Sequence, residues 1–412
     1  MNGRVLIATV FPIPHVGGAS THIEQLHALL VSRGLFGALL TGQDLVGSPL
    51  ARLTHLLARF MDRDTSRVRF LEEAIGRLGD QIERAIPPAS QSEWIIHTHD
   101  PLATCAALRS QRTACAVVQT VHGPWSRELL TAHADSPTRY HRAILTLERE
   151  AFCGADVLLP VDMGQAAILK DGFGVEPERC HIIPNAVDSH VLAAIEPSVA
   201  RQLPGRFFLV PRRLVPKNGV EYAIRGFARL ANRPRDLGLV IAGDGPLLSE
   251  LKRVVASEGL LRDVVFLGDV QRGALLKILK RSVGVLVPSV PSHGVVEATS
   301  FSVLEAMACG VPVIASAIGG IAEIMTSEAM GFPVPAGEPA AIALAMGRVL
   351  DLSLAAKQRL LETARARVDE QFGIMTWFSK IEASYDAAMR MRSTRQGQHR
   401  LLGSDPPTVA RR

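Results

Sequence analysis

Two glutamates stand eight positions apart in the segment Glu297–Glu305, which reads EATSFSVLE. The apolar spacing that follows predicts a helix starting near Ser300 or Ser302, and either serine could act as its N-cap. Glu297 would then lie in the loop before the helix and Glu305 about two turns inside it. Carboxylates held apart in this way suit hydrogen bonds to hydroxyls better than a shared-proton acid pair. The helix N-terminus between them, around Phe301, would attract an anion.

A basic loop follows a separate run of apolar, strand-like residues. The segment Pro211–Gly219 contains Arg212, Arg213 and Lys217. Guanidinium and ammonium groups at a strand end can neutralise a diphosphate without a metal ion. Taken alone, however, this segment is more typical of a solvated basic loop. Its interpretation as a diphosphate site therefore depends on the other motifs.

Two glycine-containing turns also join predicted strands to predicted helices. Gly17 and Gly18 form the first, and Gly243-Asp-Gly245-Pro246 forms the second. Glycine lets the backbone approach a ligand closely, and amides at a helix start suit phosphate. Neither turn has the G-x-G-x-x-G pattern, so a dinucleotide site is only weakly indicated.

Two clusters carry metal-ligand residue types. His97-Thr-His99-Asp100 ends a predicted strand, but further ligands are not identifiable from the sequence, so a structural or cleft-lining role is favoured. Asp62-Arg-Asp64 is formally a D-x-D motif, yet it lies in a predicted helical stretch rather than at a strand end. We therefore expect no metal site and no metal cofactor.

Strands and helices alternate along the chain, which predicts an α/β protein with two doubly wound parallel sheets. Because ligands of such sheets lie beyond the carboxyl ends of the strands, the loops that follow them should carry the site. The strand pattern breaks from Ser189 to Gly205, where Pro197, Pro204 and Gly205 predict a linker between the two halves. The predicted strands are Val5–Val10, Phe36–Thr41, Trp94–His97, Cys115–Val121, Val157–Pro160 and Cys180–Pro184, then Phe207–Val210, Leu237–Ala242, Val264–Leu267, Gly284–Pro288 and Val311–Ala315.

The composition is that of an ordinary globular chain, at a length that favours two domains. Of the 412 residues, 47% are hydrophobic and 21% charged, and the formal net charge is +5. From Arg390 onward six arginines accompany one aspartate, so this tail accounts for the whole excess and a nucleic-acid-binding surface is not indicated. Five scattered cysteines without a C-x-x-C pair, and no recognisable secretory leader, favour a reducing cytoplasm.

One segment leaves two interpretations open. Between Leu50 and Leu78, leucines at helical spacing accompany Arg52, Arg59 and Arg63 on a different face. A basic amphipathic helix of this kind can lie on an anionic membrane surface. An ordinary solvated face above a core stripe is the favoured alternative.

Together these motifs resemble glycosyltransferase family 4, of the GT-B fold. The resemblance covers nearly the whole chain, and the order and spacing of its elements carry it. These elements are Gly17-Gly18, Thr120-Val-His122-Gly123, Ile183-Pro-Asn185-Ala-Val-Asp188, the Arg213/Lys217 loop, Gly243-Asp-Gly245-Pro246, Glu297–Glu305, Gly310-Val-Pro312 and the final aromatic residues Phe372, Trp377 and Tyr385.

The resemblance implies the domain organisation of the chain. Residues 1–192 would form an acceptor-side domain, 193–205 the linker, and 206–372 a nucleotide-sugar-binding domain facing the first across a cleft. Residues 373–390 would form a helix that crosses back to the first domain. Residues 391–412 are expected to be a disordered basic tail.

The resemblance also implies a role for each motif in the retaining transfer of a hexosyl group from a nucleotide-diphosphate sugar. His122 and Glu297 would be the catalytic residues, with Glu297 holding the transferred sugar. Glu305 would bind the ribose. The diphosphate would be held by Arg213, Lys217, Gly17 and Gly18, and the donor loop backbone by Ser300, Phe301, Ser302 and Gly243.

The acceptor would be a glycan, a lipid-linked molecule or a small molecule, and the oligomeric state stays open. Three departures from the family pattern are visible: Thr299-Ser300, Lys217-Asn218-Gly219 and Asn185-Ala186. Two alternative functions remain, a nucleotide-sugar epimerase or phosphorylase on the same scaffold, and a catalytically silent partner subunit. The presence of every charged residue in the implied site argues against the silent subunit.

Overall fold

The computed structural model describes residues 3–14, 17–42, 63–130, 138–198 and 203–401. The chain divides into two compact units. The first unit comprises Met1–Val161, Gln165–Ile183 and Phe378–Arg412, and the second comprises Asp162–Gly164 and Pro184–Trp377. The change of unit at Pro184 therefore comes earlier than the boundary expected at residue 192.

The first unit is built on a parallel sheet of five strands in the order β2-β1-β3-β4-β5. Its strands read as continuous apolar runs because helices cover both faces of the sheet, and β3, β4 and β5 are buried throughout. The strands are β1 (Arg4–Ala8), β2 (Phe36–Leu40), β3 (Trp94–Thr98), β4 (Ala116–Val121) and β5 (Val157–Pro160).

Helices connect these strands and complete the first hydrophobic core. Asp100 caps the helix after β3, because its carboxylate accepts a 2.8 Å hydrogen bond from the Ala103 amide, and Pro101 occupies the first helical turn. The helices are α1 (Gly18–Ser32), α2 (Arg63–Ala85), α3 (Pro101–Arg109), α4 (Trp125–Leu130), α5 (Arg139–Gly154) and α6 (Met163–Phe173), the last beginning in the second unit.

The second unit contains a parallel sheet of six strands in the order β11-β10-β9-β6-β7-β8. Alternate residues of its central strand enter two different cores: Phe207 and Leu209 on one face, Phe208 and Val210 on the other. The strands are β6 (Arg206–Pro211), β7 (Leu237–Ala242), β8 (Val264–Gly268), β9 (Gly284–Val287), β10 (Val313–Ser316) and β11 (Phe332–Val334).

The helices of the second unit follow the same alternation. They are α7 (Ser189–Ala193), α8 (Val220–Ala228), α9 (Leu248–Ser257), α10 (Arg272–Arg281), α11 (Phe301–Ala308), α12 (Gly319–Ile324), α13 (Pro339–Leu350) and α14 (Leu354–Gln371). Two parallel-sheet, Rossmann-like α/β domains are therefore present, which confirms the predicted fold class.

Several local predictions were wrong. Cys180–Pro184 is not a strand. Some of its amides donate hydrogen bonds to carbonyls of β5, but only an isolated bridge between Leu158 and Cys180 forms. Ser189–Ala193, expected at the start of the irregular connection, is a helix because Asp188 caps it through the Val191 amide. Strand β11 was missed, since three residues including Pro333 leave almost no pattern.

The last helix, α15 (Ile374–Leu401), begins in the second unit and enters the first from Phe378 onward. There Tyr385 is fully buried. Because the helix continues to Leu401, the disordered tail predicted from residue 391 was placed too early. Residues 402–412 lie outside the described part of the chain, as do residues 50–62 of the amphipathic segment, which include Asp62 of Asp62-Arg-Asp64.

A helix that spans a membrane needs a long, predominantly apolar stretch. No described helix alone has the necessary length and apolarity, and Pro339–Leu350 with Leu354–Gln371 meets them only as a pair bent by 114°. All five cysteines are free thiols.

Candidate active site

Glu297 forms a nearly buried ion pair in the second unit. Arg212 Nη2 lies 2.6 Å from Glu297 Oε2, and the two side chains are 9% and 14% exposed. Burial alone would raise the pKa of Glu297, but the charge and hydrogen bond of Arg212 outweigh it and lower that pKa below its usual range. The same guanidinium nitrogen donates to two further oxygens, Asn218 Oδ1 at 2.7 Å and Ser289 Oγ at 2.9 Å. Glu297 is therefore held as a charged acceptor in a fixed position.

The position of Arg212 follows from the turn after β7. Gly243 has a φ of 146°, and a Cβ at this residue would collide with the Arg212 carbonyl oxygen. The Arg212 amide donates to the Ala242 carbonyl at 3.0 Å. The glycine predicted for the donor loop thus acts by letting two strand ends approach each other.

The two cations predicted to bind the diphosphate occupy the same loop as Arg212. Arg213 is exposed and Lys217 is half-buried. Both charges help to lower the pKa of Glu297, so both lie in its electrostatic surroundings. Asn218, at the position that departs from the family pattern, donates a 2.7 Å hydrogen bond to the Arg213 carbonyl and thereby shapes the loop.

Arg212 was named from the sequence as part of the basic loop, but no role of its own was predicted for it. The Arg-Arg pair directly after a buried strand was the available signal. However, local sequence cannot decide which of two adjacent arginines turns toward the interior. The structure turns Arg212 inward to Glu297 and leaves Arg213 exposed.

Helix α11 starts at Phe301, as the sequence predicted. Ser300 occupies the N-cap, but its side chain makes no capping bond, and its buried Oγ has no hydrogen-bond partner among the described residues. Ser302 Oγ instead donates to the Pro211 carbonyl at 3.2 Å. Neither serine caps the helix as expected, and the helix start is tied to the end of β6, where the basic loop begins.

Glu305 lies about one turn into α11, not two. It is 6% exposed and receives two hydrogen bonds from Arg272, Nε at 2.9 Å and Nη2 at 2.8 Å, both to Oε1. Burial raises the pKa of Glu305, and Arg272 only partly offsets that effect. The carboxylate is therefore a buried acceptor whose one partner, 39% exposed, lies nearer the solvent.

The first unit brings three histidines together. His22 lies on α1, His99 follows β3, and His122 follows β4. His99 Nδ1 and His122 Nε2 are 3.4 Å apart, and the ring of His22 lies edge-on to both others at 5.3 and 4.9 Å between centroids. Desolvation, with a smaller contribution from neighbouring histidines, lowers the pKa of His99 well below its usual value, so this imidazole is neutral.

His97 lies next to this cluster, and its contacts hold its own ring in place. Its ring stacks on that of His99 at 4.6 Å, and its nitrogens bond to Tyr385 at 2.7 Å and Thr120 at 2.8 Å. Asp100 is occupied by the α3 cap and by Thr9 Oγ1 at 2.9 Å. His97, His99 and Asp100 therefore do not come together as a metal-binding set. His99 instead lies beside His22 and His122.

Two further features shape the loops around the histidines. Gly17, with a φ of 149°, precedes α1, and Gly18 is its first residue. After His122, the start of α4 donates to a buried carboxylate that the sequence analysis did not single out: Glu148 Oε1 accepts from the Ser126 amide at 3.2 Å. Burial raises the pKa of Glu148, although the hydrogen bonds from this helix start oppose that shift.

Two family models match consecutive parts of the chain. Residues 16–191 match the model described as Glycosyltransferase Family 4, and residues 194–367 match Glycosyl transferases group 1. The chain belongs to glycosyltransferase family 4. His122 lies within the first matched segment, and Arg212, Glu297 and Glu305 lie within the second.

Similar proteins support this assignment. This family 4 chain is 29% identical over 280 residues to D-inositol 3-phosphate glycosyltransferase of Acidothermus cellulolyticus, covering 64% of this chain and 61% of the relative. Among solved structures, sucrose-phosphate synthase of Thermosynechococcus elongatus has a TM-score of 0.71 at 20% identity, covering 98% and 100% of the two chains. Anabaena HepE in complex with UDP-glucose has a TM-score of 0.67 at 17% identity, covering 93% and 99%.

Proposed function

We propose that this chain is a retaining glycosyltransferase. It would transfer a hexosyl group from a nucleotide-diphosphate sugar to a hydroxyl of a glycan, a lipid-linked molecule or a small molecule. One observation carries the proposal: the end of β6, the start of α11 and the Arg212–Glu297 pair are joined in one hydrogen-bonded arrangement. Such an arrangement presents a fixed carboxylate next to cations and a positive helix end.

The charge pattern suits a diphosphate leaving group. Negative charge develops on the diphosphate as its bond to the sugar breaks, and preorganised positive groups stabilise that charge. Arg213, Lys217 and the N-terminus of α11 would supply this stabilisation without a metal ion at the diphosphate. Ser300, with a buried hydroxyl that has no described partner, would donate to the same group.

Glu297 would accept a hydrogen bond from a hydroxyl of the transferred sugar. Its low pKa keeps it ionised at neutral pH, so it acts as an acceptor and not as a proton donor. Glu305 would bind the ribose hydroxyls once they displace Arg272, the exposed partner of this carboxylate. His122 would orient the acceptor or the reacting sugar through its imidazole.

Retention would follow from attack on the same face of the sugar that the diphosphate leaves. The bond from the anomeric carbon to the diphosphate oxygen breaks, and a bond to the acceptor oxygen forms. The acceptor proton passes to the departing diphosphate oxygen, so no enzymatic nucleophile is needed. NMR assignment of the product anomer tests this step, and an inverted product would refute it.

The primary test is turnover of UDP, GDP and ADP sugars with and without an acceptor. UDP-glucose is the first donor to try, because HepE was solved with it. Nucleotide release that depends on the acceptor supports a transferase. Conversion of the donor without an acceptor would indicate the epimerase alternative, sugar phosphate formed with inorganic phosphate the phosphorylase, and no turnover with any donor a silent subunit.

Binding gives a second test that does not require the acceptor. A donor that binds only the native state should raise the melting temperature, by mass action. Glu305→Ala should weaken the shift, because the ribose loses its acceptor, whereas Glu258→Gln, at an exposed position just after α9, should not. An equal shift in the intact chain and Glu305→Ala would contradict the assigned role of Glu305.

We also propose that the enzyme works in the cytoplasm, in peripheral contact with anionic membrane through the amphipathic segment from Leu50 to Arg63. Five free thiols support a reducing compartment. Deleting the segment should weaken binding to vesicles that contain anionic lipid. Unchanged binding would rule out the membrane contact. It would not bear on the proposed transfer activity.

A further inference from the structure

Three imidazoles of the first unit converge from successive parts of one sheet. His22, His99 and His122 lie beyond strands β1, β3 and β4, which are neighbours in the sheet. Each residue offers one ring nitrogen, and these three atoms lie within 4.8 Å of one another. Parallel strands bring their carboxyl ends to the same edge, so residues far apart in the sequence meet there.

Two of the ring nitrogens are separated by the distance expected of two ligands on one metal ion. Zinc binds imidazole nitrogen at about 2.0–2.1 Å in a tetrahedron, so two ligand nitrogens are about 3.4 Å apart. His99 Nδ1 and His122 Nε2 lie 3.4 Å apart. As a hydrogen bond this contact is long, beyond the range of about 2.7–3.2 Å that is usual for N–H···O bonds.

His99 is buried and held in a fixed orientation. It is 3% exposed, and its Nδ1 is the nitrogen that lies 3.4 Å from His122 Nε2. The stacked ring of His97, held by Tyr385 and Thr120, fixes the orientation of His99 so that it can act as a rigid ligand.

We propose that His22, His99 and His122 form a binding site for a late first-row divalent metal, of which Zn²⁺ is the representative. Three imidazoles match the preference of Zn²⁺, Ni²⁺ and Cu²⁺ for nitrogen ligands. The fourth position would hold water or another exchangeable ligand, reached from the side of His122, the half-buried member. The site lies in the first unit, whereas Arg213 and Lys217, the cations assigned to the diphosphate, belong to the second.

Binding can be measured without any assay of transfer. The full chain is stripped with a chelator and titrated with Co²⁺, whose visible absorption reports tetrahedral nitrogen coordination, and then with Zn²⁺ in competition. His22→Ala and His122→Asn should each weaken Zn²⁺ binding at least about 100-fold, because a direct ligand should matter at least as much as an outer-shell partner. His27→Gln, on the same helix as His22 but outside the cluster, is the matched control.

Either of two results would overturn the metal site. One is the absence of a tetrahedral Co²⁺ spectrum in the stripped, folded chain. The other is undiminished Zn²⁺ affinity in both folded variants. Circular dichroism establishes the fold of each variant, and half-buried His122 is the substitution that disturbs packing least.

A consequence for activity rests on the proposed function. A metal on His122 would occupy the imidazole that we assign to the sugar or acceptor. Zn²⁺ should therefore inhibit transfer, and a chelator should restore it. His22→Ala should be less sensitive to Zn²⁺. If Co²⁺ binds but no donor is turned over, the proposed function fails and the metal site stands; if transfer occurs without metal binding, the reverse holds.

Discussion

The two units of this family 4 chain prepare their candidate residues by opposite electrostatic means. In the first, His97 and His99 are buried among other imidazoles, and desolvation lowers both pKa values, so these two imidazoles are neutral. In the second, Glu297 is also nearly buried, yet Arg212 keeps it charged. The comparison shows that a nearly buried opposite charge can outweigh burial, as Arg212 does at Glu297, whereas the more exposed Arg272 only partly offsets burial at Glu305.

Removing one partner of the charged pair should have the largest effect. Arg212→Met leaves the Glu297 carboxylate buried without compensation, which should lower the free energy of unfolding by about 3–5 kcal/mol. Thermal unfolding of the second unit measures this loss. Arg348→Met, which breaks the exposed pair with Glu328, is the control and should leave the melting temperature nearly unchanged. Equal melting temperatures in the two variants would mean that the Arg212–Glu297 pair is not structurally important.

A change that keeps the shape of Glu297 but removes its charge should affect transfer more than stability. Glu297→Gln is expected to lower kcat about 100-fold, since one preorganised polar contact in the transition state is lost. Glu258→Gln, which changes an exposed carboxylate of the same unit, should leave kcat unaltered. The measurement is initial-rate kinetics with the preferred donor. A change in KM alone would show that Glu297 binds the ground state and transition state equally.

Lowering the pH should destabilise the first unit before the second. For His97 and His99 the folded-state pKa lies below the unfolded value near 6.5, so their stabilising contribution is present above that pH and is lost as pH falls below it. Each imidazole can contribute a slope of about 1.4 kcal/mol per pH unit. The Glu297 pair, with its lowered carboxyl pKa, persists until more acidic pH. Hydrogen exchange should show amides of β4 exposed at pH 5–6 before those of β6; the opposite order would contradict this account.

The smallest expected effect concerns the contact between α11 and β6. Ser302→Ala removes one hydrogen bond to the Pro211 carbonyl and should lower the free energy of unfolding by about 1 kcal/mol. Ser353→Ala, at the cap of α14 in the same unit, removes a comparable bond far along the chain and serves as the control. Donor affinity should fall only in Ser302→Ala, because only this bond holds the helix start at the basic loop. Equal donor affinities would show that the bond is merely structural.

Strand periodicity made much of the architecture predictable. Apolar runs such as Val157–Pro160 and Leu237–Ala242 have the same bounds in the structure as in the prediction. The short strand Phe332–Val334 was missed, and Cys180–Pro184 was assigned wrongly, because both depend on which neighbour the backbone bonds to. Local patterns contain little of that information.

The sequence by itself determined the two Rossmann-like sheets and the order of the motifs, since burial of apolar runs is a local and periodic property. Only the tertiary structure decided that Arg212, not Arg213, contacts Glu297, and that Arg272 covers Glu305. It also decided that His22, His99 and His122 meet. These three residues are separated by up to a hundred positions, and only the order of strands in the sheet brings them together. Side-chain partnership across such distances is set by packing, for which spacing along the chain provides no rule.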